Sequence, residues 1–215
     1  MSRVRRGPAG WLRSGVVFST ERGCAVAKKK TASGLGIQGY KVFADVEIEG
    51  IEPGLLMNHR PIEEPKNLTK LPPEEQAALK VYRDPEGNIA LPAGVMLKTL
   101  IDAGKYFKAE GNTKMAKYVA ACVRVSPRWL QFGATEYAID ARYVTVRGAV
   151  ILRHRPCLPE WKLSFQLSWN SLLLKPENMA QVLEAAGEWV GIGDYRPPCS
   201  GEFGRFKVDK FEIGG

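Results

Sequence analysis

From Tyr40 onward the chain alternates between apolar and polar positions. Tyr40, Val42, Ala44, Val46 and Ile48 are separated by Lys41, Phe43, Asp45, Glu47 and Glu49, a period of two that predicts a half-buried strand. Gly50 and the Pro53-Gly54 pair end it. The same alternation returns in Trp161, Leu163, Phe165, Leu167 and Trp169 against Lys162, Ser164, Gln166, Ser168 and Asn170. Further strands are expected over residues 149–155 and 205–213. Residues 137–139 and 143–147 read as a strand pair bridged by Asp140-Ala141-Arg142.

In two places the spacing becomes helical. After Pro92, the residues Met96, Leu97, Leu100, Ile101, Ala103, Gly104 and Phe107 fall on one stripe. After Pro176, Met179, Val182, Leu183, Ala186, Trp189 and Val190 do the same. Proline suits a first helical turn because its missing N–H has no partner there anyway. Shorter helices are expected over residues 73–81 and 113–123. Setting residues 54–91 and 113–147 aside as insertions, the order is strand, helix, strand, strand, helix, strand. That order predicts an α+β fold with a ferredoxin-like βαββαβ core, an antiparallel sheet with both helices on one face and the other face open. The expected organisation is a flexible basic arm over residues 1–35 and a single domain over 36–215.

Charge changes the picture more than composition does. The chain carries a formal net charge of +8. Eight of its 31 lysines and arginines, but one of its 23 acids, lie within residues 1–30, so residues 31–215 hold 23 bases and 22 acids. The body is nearly neutral, and any binding surface on it must come from local segregation of charge. The basic stretch is a poor secretory signal, because Arg13 and Glu21 break its apolar segments. It reads either as an arm or as the product of a start assigned too far upstream. Gly34-Leu35-Gly36-Ile37-Gln38-Gly39 has the literal form of a dinucleotide fingerprint, but coil precedes it and a strand follows, so it reads as a linker. The four cysteines form no CxxC pair and there are two histidines, so neither a zinc site nor any other cofactor is expected. Scattered single thiols suit a reducing, cytoplasmic setting, and no apolar run reaches the length of a membrane span.

If the Trp161–Trp169 alternation packs its apolar side under the helices, Lys162 points to the open face. Arg153 and Arg155 from the neighbouring strand, Arg205 and Lys207 from the last, and Lys41 and Phe43 from the first are expected beside it. The acids Asp45, Glu47 and Glu49 confine such a basic track to one end of the sheet, and an ordinary solvated face is the competing interpretation. The segment 191–206 interleaves glycines with Tyr195, Arg196, Phe203 and Arg205. Glycines let backbone amides approach phosphates and aromatic rings stack on bases, although a helix-capping glycine followed by a connection is the plainer alternative. Asn58, His59 and Arg60 are candidate ligand-binding loop groups, and His59 is also a candidate base for metal-free RNA cleavage. His154 is expected inward as a satisfied core histidine.

This glycine-rich loop between the second helix and the last strand resembles that of the RAMP superfamily, the RNA-binding proteins of CRISPR effector complexes. Pro53-Gly54-Leu55-Leu56-Met57-Asn58-His59-Arg60 and Leu91-Pro92-Ala93-Gly94-Val95-Met96-Leu97-Lys98 are similar to RAMP-type positions. The ensemble resembles phage-encoded proteins that pair an LLM segment with a GIGDYRP…GRF segment. The resemblance covers residues 40–213 and implies binding of single-stranded DNA or RNA without catalysis, by a homo-oligomer polymerising along the strand. An assembly protein that binds no nucleic acid, and a metal-independent endoribonuclease using His59, are the alternatives.

Overall fold

The computed structural model describes residues 40–214, apart from 62–64, 66–67, 110–111 and 147. The basic arm and the glycine linker at 34–39 lie outside them. In chain order the elements are β1 (Lys41–Gly50), β2 (Leu55–Leu56), α1 (Pro73–Ala78), β3 (Ala90–Pro92), α2 (Ala93–Ala103), α3 (Met115–Cys122) and β4 (Arg124–Ser126). They continue with β5 (Trp129–Gln131), β6 (Ala138–Val146), β7 (Ala149–Leu158), β8 (Lys162–Asn170), α4 (Pro176–Ala185) and β9 (Phe206–Gly214). This is a mixed α+β arrangement in which all the strand pairs are antiparallel. No helix of the described residues is long and apolar enough to cross a membrane.

The main sheet has the order β4-β8-β1-β9. Its centre is the β1–β8 pair, in register from Lys41 opposite Asn170 to Glu49 opposite Lys162. Alternation then sends Ala44, Val46, Ile48, Leu163, Phe165, Leu167 and Trp169 to one side, where all are buried. Met96, Leu100 and Ala103 of α2, Val119 of α3, and Met179, Val182 and Leu183 of α4 join them in one core. The indole N–H of Trp169 donates to the Leu174 carbonyl at 2.8 Å, so this tryptophan buries no unpaired donor, whereas the Trp161 indole nitrogen is buried without a partner. α2 stops at Gly104, where an added Cβ would stand 2.8 Å from the Ala116 nitrogen. The missing side chain is what lets α3 fold back against α2. α4 runs on into a π-helical turn, Ala186–Val190, where Gly187 leaves room for the Phe206 carbonyl of β9.

Two strand expectations need correction. Residues 149–155 do form a strand, but β7 pairs with β6 and β2 in a separate sheet of order β2-β7-β6, and the place beside β8 is taken by β4. The cause is local. Val146 sits opposite Ala149, and Gly148 has φ +82°, a backbone geometry that favours a tight hairpin with the preceding strand. Residues 137–147 are likewise not two strands with a bridge. β6 is continuous, because Asp140 and Arg142 project from one face and pair with each other at 2.5 Å without interrupting the ladder.

Leu167 is fully buried at the centre of β8. Leu167→Ala should therefore cost about 2–5 kcal/mol, read as a lowered midpoint in chemical denaturation.

Candidate functional site

The side of the main sheet away from the helices presents Lys41, Phe43, Asp45, Glu47 and Glu49 from β1 with Lys162, Ser164, Gln166, Ser168 and Asn170 from β8. The half that carries Asp45, Glu47 and Glu49 is neutralised. Glu49 holds both Lys162, at 2.8 Å, and Lys207, at 2.5 Å. Lys210 lies 3.7 Å from Glu47 and 3.3 Å from Glu212, and Gln166 donates to Asp45 at 3.0 Å. Hydrogen bonds from Lys162 and then Lys207 hold the Glu49 carboxyl at about 2, well below its ordinary 4.5. Lys162 and Lys207, expected to build a basic face, are instead the cationic halves of a charge ladder.

The other end differs. Phe43, Ser168 and Arg124 form one row across β1, β8 and β4, with Lys41 and Asn170 forming the next. Among the described residues, neither Lys41 nor Arg124 has a carboxylate partner. Lys41 instead lies over the Phe43 ring, 4.8 Å from its centroid. A depression of about 390 Å³ opens there, lined by Lys41, Arg124, Ser168 and Asn170 together with Cys122 and Leu173. Burial pushes the Cys122 thiol up from its ordinary value, so it adds no negative charge.

A second cluster forms where the β6–β7 hairpin meets the glycine loop. Asp194 accepts from Asn58 at 3.0 Å and pairs with Arg155 at 2.7 Å, while its backbone N–H donates to the Leu56 carbonyl. Arg142, held by Asp140, stacks on Tyr195 and Phe203 with centroid distances of 4.8 and 4.5 Å. Arg153 lies on the same hairpin face, opposite Arg142, and its Nη1 is buried without a hydrogen-bond partner. The His59 ring meets the edge of Tyr82 at 5.3 Å. Burial raises the Tyr82 phenol, with the charge of Asp194 adding to the effect and Arg60 opposing it.

The structure therefore distributes the expected residues over several places. Asn58 and Arg155 meet at Asp194, with His59 and Arg60 beside them at Tyr82, and Tyr195 and Phe203 meet at Arg142. Arg153 and Arg155 are not on the main sheet, because β7 does not join it. Arg205 donates to the Glu188 carbonyl at 3.0 Å, and Arg196 lies 3.6 Å from Asp102. Phe203 is 4% exposed, too enclosed to offer its ring to a base. The loop is also no open cradle. The amides of Gly191, Gly201 and Gly204 donate to the carbonyls of Ala186, Arg196 and Gly54, and a Cβ on Gly204, at φ +74°, would fall 1.8 Å from the Ile192 carbonyl. These glycines serve close backbone packing. His154, expected to be satisfied, has its Nδ1 buried without a partner.

Sequence reasoning missed Arg124, Arg142 and the role of Asp194. For Arg124 a signal existed, since residues 112–135 contain Lys114, Lys117, Arg124 and Arg128 and no acid. No protein-family model and no curated protein matches this chain.

Because the folded Glu49 carboxyl sits below its unfolded value, its contribution to stability is complete above pH 4.5 and is lost as pH falls towards 2. Glu49→Gln should lower the melting temperature at pH 7 and flatten the acid limb between those two values, as measured by melting across a pH series.

Proposed function

We propose that this protein binds single-stranded nucleic acid at the β4 end of its main sheet. The surface comprises Lys41, Phe43, Arg124, Ser168 and Asn170, and continues along α3 through Lys117 and Lys114. The observation that carries this reading is the segregation of charge on one sheet face. Lys162, Lys207 and Lys210 are engaged by acids, whereas Lys41 and Arg124 have no carboxylate partner among the described residues and flank a depression. Lys117 is exposed one helical turn before Ala121, which lines that depression, so the cationic track extends beyond the pocket. Unpaired cations gain most from phosphates, through counterion release. Phe43, 37% exposed, offers its ring beside them. A ring can stack on a base that is free of a duplex, which favours single strands.

A ferredoxin-like core, β1–α2–β4–β8–α4–β9, is part of the same proposal, with β4 as its second strand. The sheet order β4-β8-β1-β9 supports it, and a RAMP-type relationship is proposed on that core. The free thiols Cys122, Cys157 and Cys199 fit a reducing, cytoplasmic setting.

In the full chain, Lys41→Glu with Arg124→Glu should weaken single-strand binding and reduce the slope of log K against log salt by about 1.4, from two lost phosphate contacts. Fluorescence anisotropy with single-stranded DNA, single-stranded RNA and duplex measures both effects. If Lys210→Gln weakens binding as much as the double variant does, the site is wrongly placed. If all polyanions bind alike and the double variant changes nothing, the basic arm alone is responsible.

One observation favours self-association as well. Ile139, Tyr143, Val150 and Leu152 share one face of the β6–β7 hairpin and are all exposed, Tyr143 by 72% and Val150 by 69%. We propose that copies of the chain associate through this face. Tyr143→Asp with Val150→Asp should then abolish any concentration-dependent rise in mass seen by light scattering, and an unchanged mass profile would refute the assignment.

A further inference from the structure

The depression at the β4 end has a more specific chemistry than a track for a phosphodiester chain needs. We infer that it is a receptor for a phosphate monoester, the terminal phosphate of a nucleotide, gripped between Lys41 and Arg124. The inference rests on the strand-binding proposal for whatever polymer is attached beyond that phosphate.

The charges of the lining point this way. Lys41 and Arg124 supply two positive charges, and no aspartate or glutamate is among the lining residues. A phosphate monoester carries about −1.5 to −2 at pH 7, whereas each internal diester of a strand carries a single charge. Two unpaired cations thus match a terminal phosphate better than an internal one.

The neutral groups add donors of the right kind. Ser168 stands between Phe43 and Arg124 in its row, and Asn170 is opposite Lys41. The Asn170 side-chain oxygen already accepts from the Leu172 N–H at 2.9 Å, which leaves its NH₂ group as a donor. An ammonium, a guanidinium fork, a hydroxyl and an amide N–H therefore line one cavity. Arginine's planar fork suits bidentate contact with a phosphate, while lysine acts as a point charge.

Size and the remaining lining indicate what the phosphate is attached to. About 390 Å³ lies within the range of small-molecule sites, roughly 300–1,000 Å³, and exceeds what a bare phosphate fills. Ala121 and Leu173, both with exposed surface, contribute apolar wall, fit for a sugar or base. The exposed Phe43 ring lies in the adjoining row.

The test uses the full chain at fixed salt and titrates adenosine 5′-monophosphate, adenosine and inorganic phosphate by calorimetry. The monophosphate should bind and adenosine should bind at least about tenfold more weakly, with Lys41→Gln and Arg124→Gln each weakening the monophosphate by about tenfold. Lys210→Gln, on the acid-paired part of the face, should leave it unchanged. Equal binding of adenosine and its monophosphate, or insensitivity to both pocket variants, overturns the inference. Anisotropy with oligonucleotides bearing or lacking a terminal phosphate separates the two proposals. Preference for the phosphorylated end, lost in Arg124→Gln, supports the monoester site. Equal binding of both oligonucleotides without binding of the monophosphate refutes it and leaves the strand-binding proposal standing. Binding of the monophosphate with no oligonucleotide bound does the reverse.

Discussion

Nine successive residue pairs join β1 to β8, and the position of everything else on the main sheet depends on their register. Because side chains alternate, a slip of one residue would turn Ala44, Val46 and Ile48 to solvent and Lys41, Asp45 and Glu47 into the core. Burial of the apolar set against α2, α3 and α4 makes that slip prohibitive. The same register sets Phe43, Ser168 and Arg124 in one row and Lys41 and Asn170 in the next. The candidate site is thus a by-product of core packing on the opposite side of the sheet.

Electrostatics then sorts the open face. The acids of β1 all lie in its second part, at Asp45, Glu47 and Glu49, where β8 and β9 bring Lys162, Lys207 and Lys210 alongside. The first residues of β1 carry Lys41 without an acid, and β4 adds Arg124 to that end. A body with nearly equal numbers of bases and acids can in this way hold an unbalanced patch. The hairpin cluster follows the opposite principle, since Arg142 and Arg155 are held there by Asp140 and Asp194 to fasten the loop.

Long periodic elements were legible in the sequence because their patterns repeat often enough to be seen. β1, β8, α2 and α4 are of that kind, and alternation placed Lys41, Phe43 and Lys162 on the open side. Alternation assigns faces and is silent on neighbours, which is why residues 149–155 were recognisable as a strand while their partner was not. β4 is three residues long and has no period to read, so Arg124 stayed hidden. The glycine loop misled for another reason. Composition cannot distinguish glycines that open a backbone to ligand from glycines that let two backbones touch, and the hydrogen bonds of Gly191, Gly201 and Gly204 show the latter role.

β1 is flanked by β8 and β9, whose residues lie more than a hundred positions further along the chain. During synthesis the first strand leaves the ribosome long before either neighbour exists, with the hydrogen-bonding groups of both its edges unpaired. Such contacts of high sequence separation are slow to form, and an unpaired strand edge is a template for pairing with other chains. β8 covers one edge and the other stays open until β9 arrives. The final strand therefore acts as a closure for the sheet, and a chain released before residue 206 would keep the Val46–Ile48 stretch bare along one side.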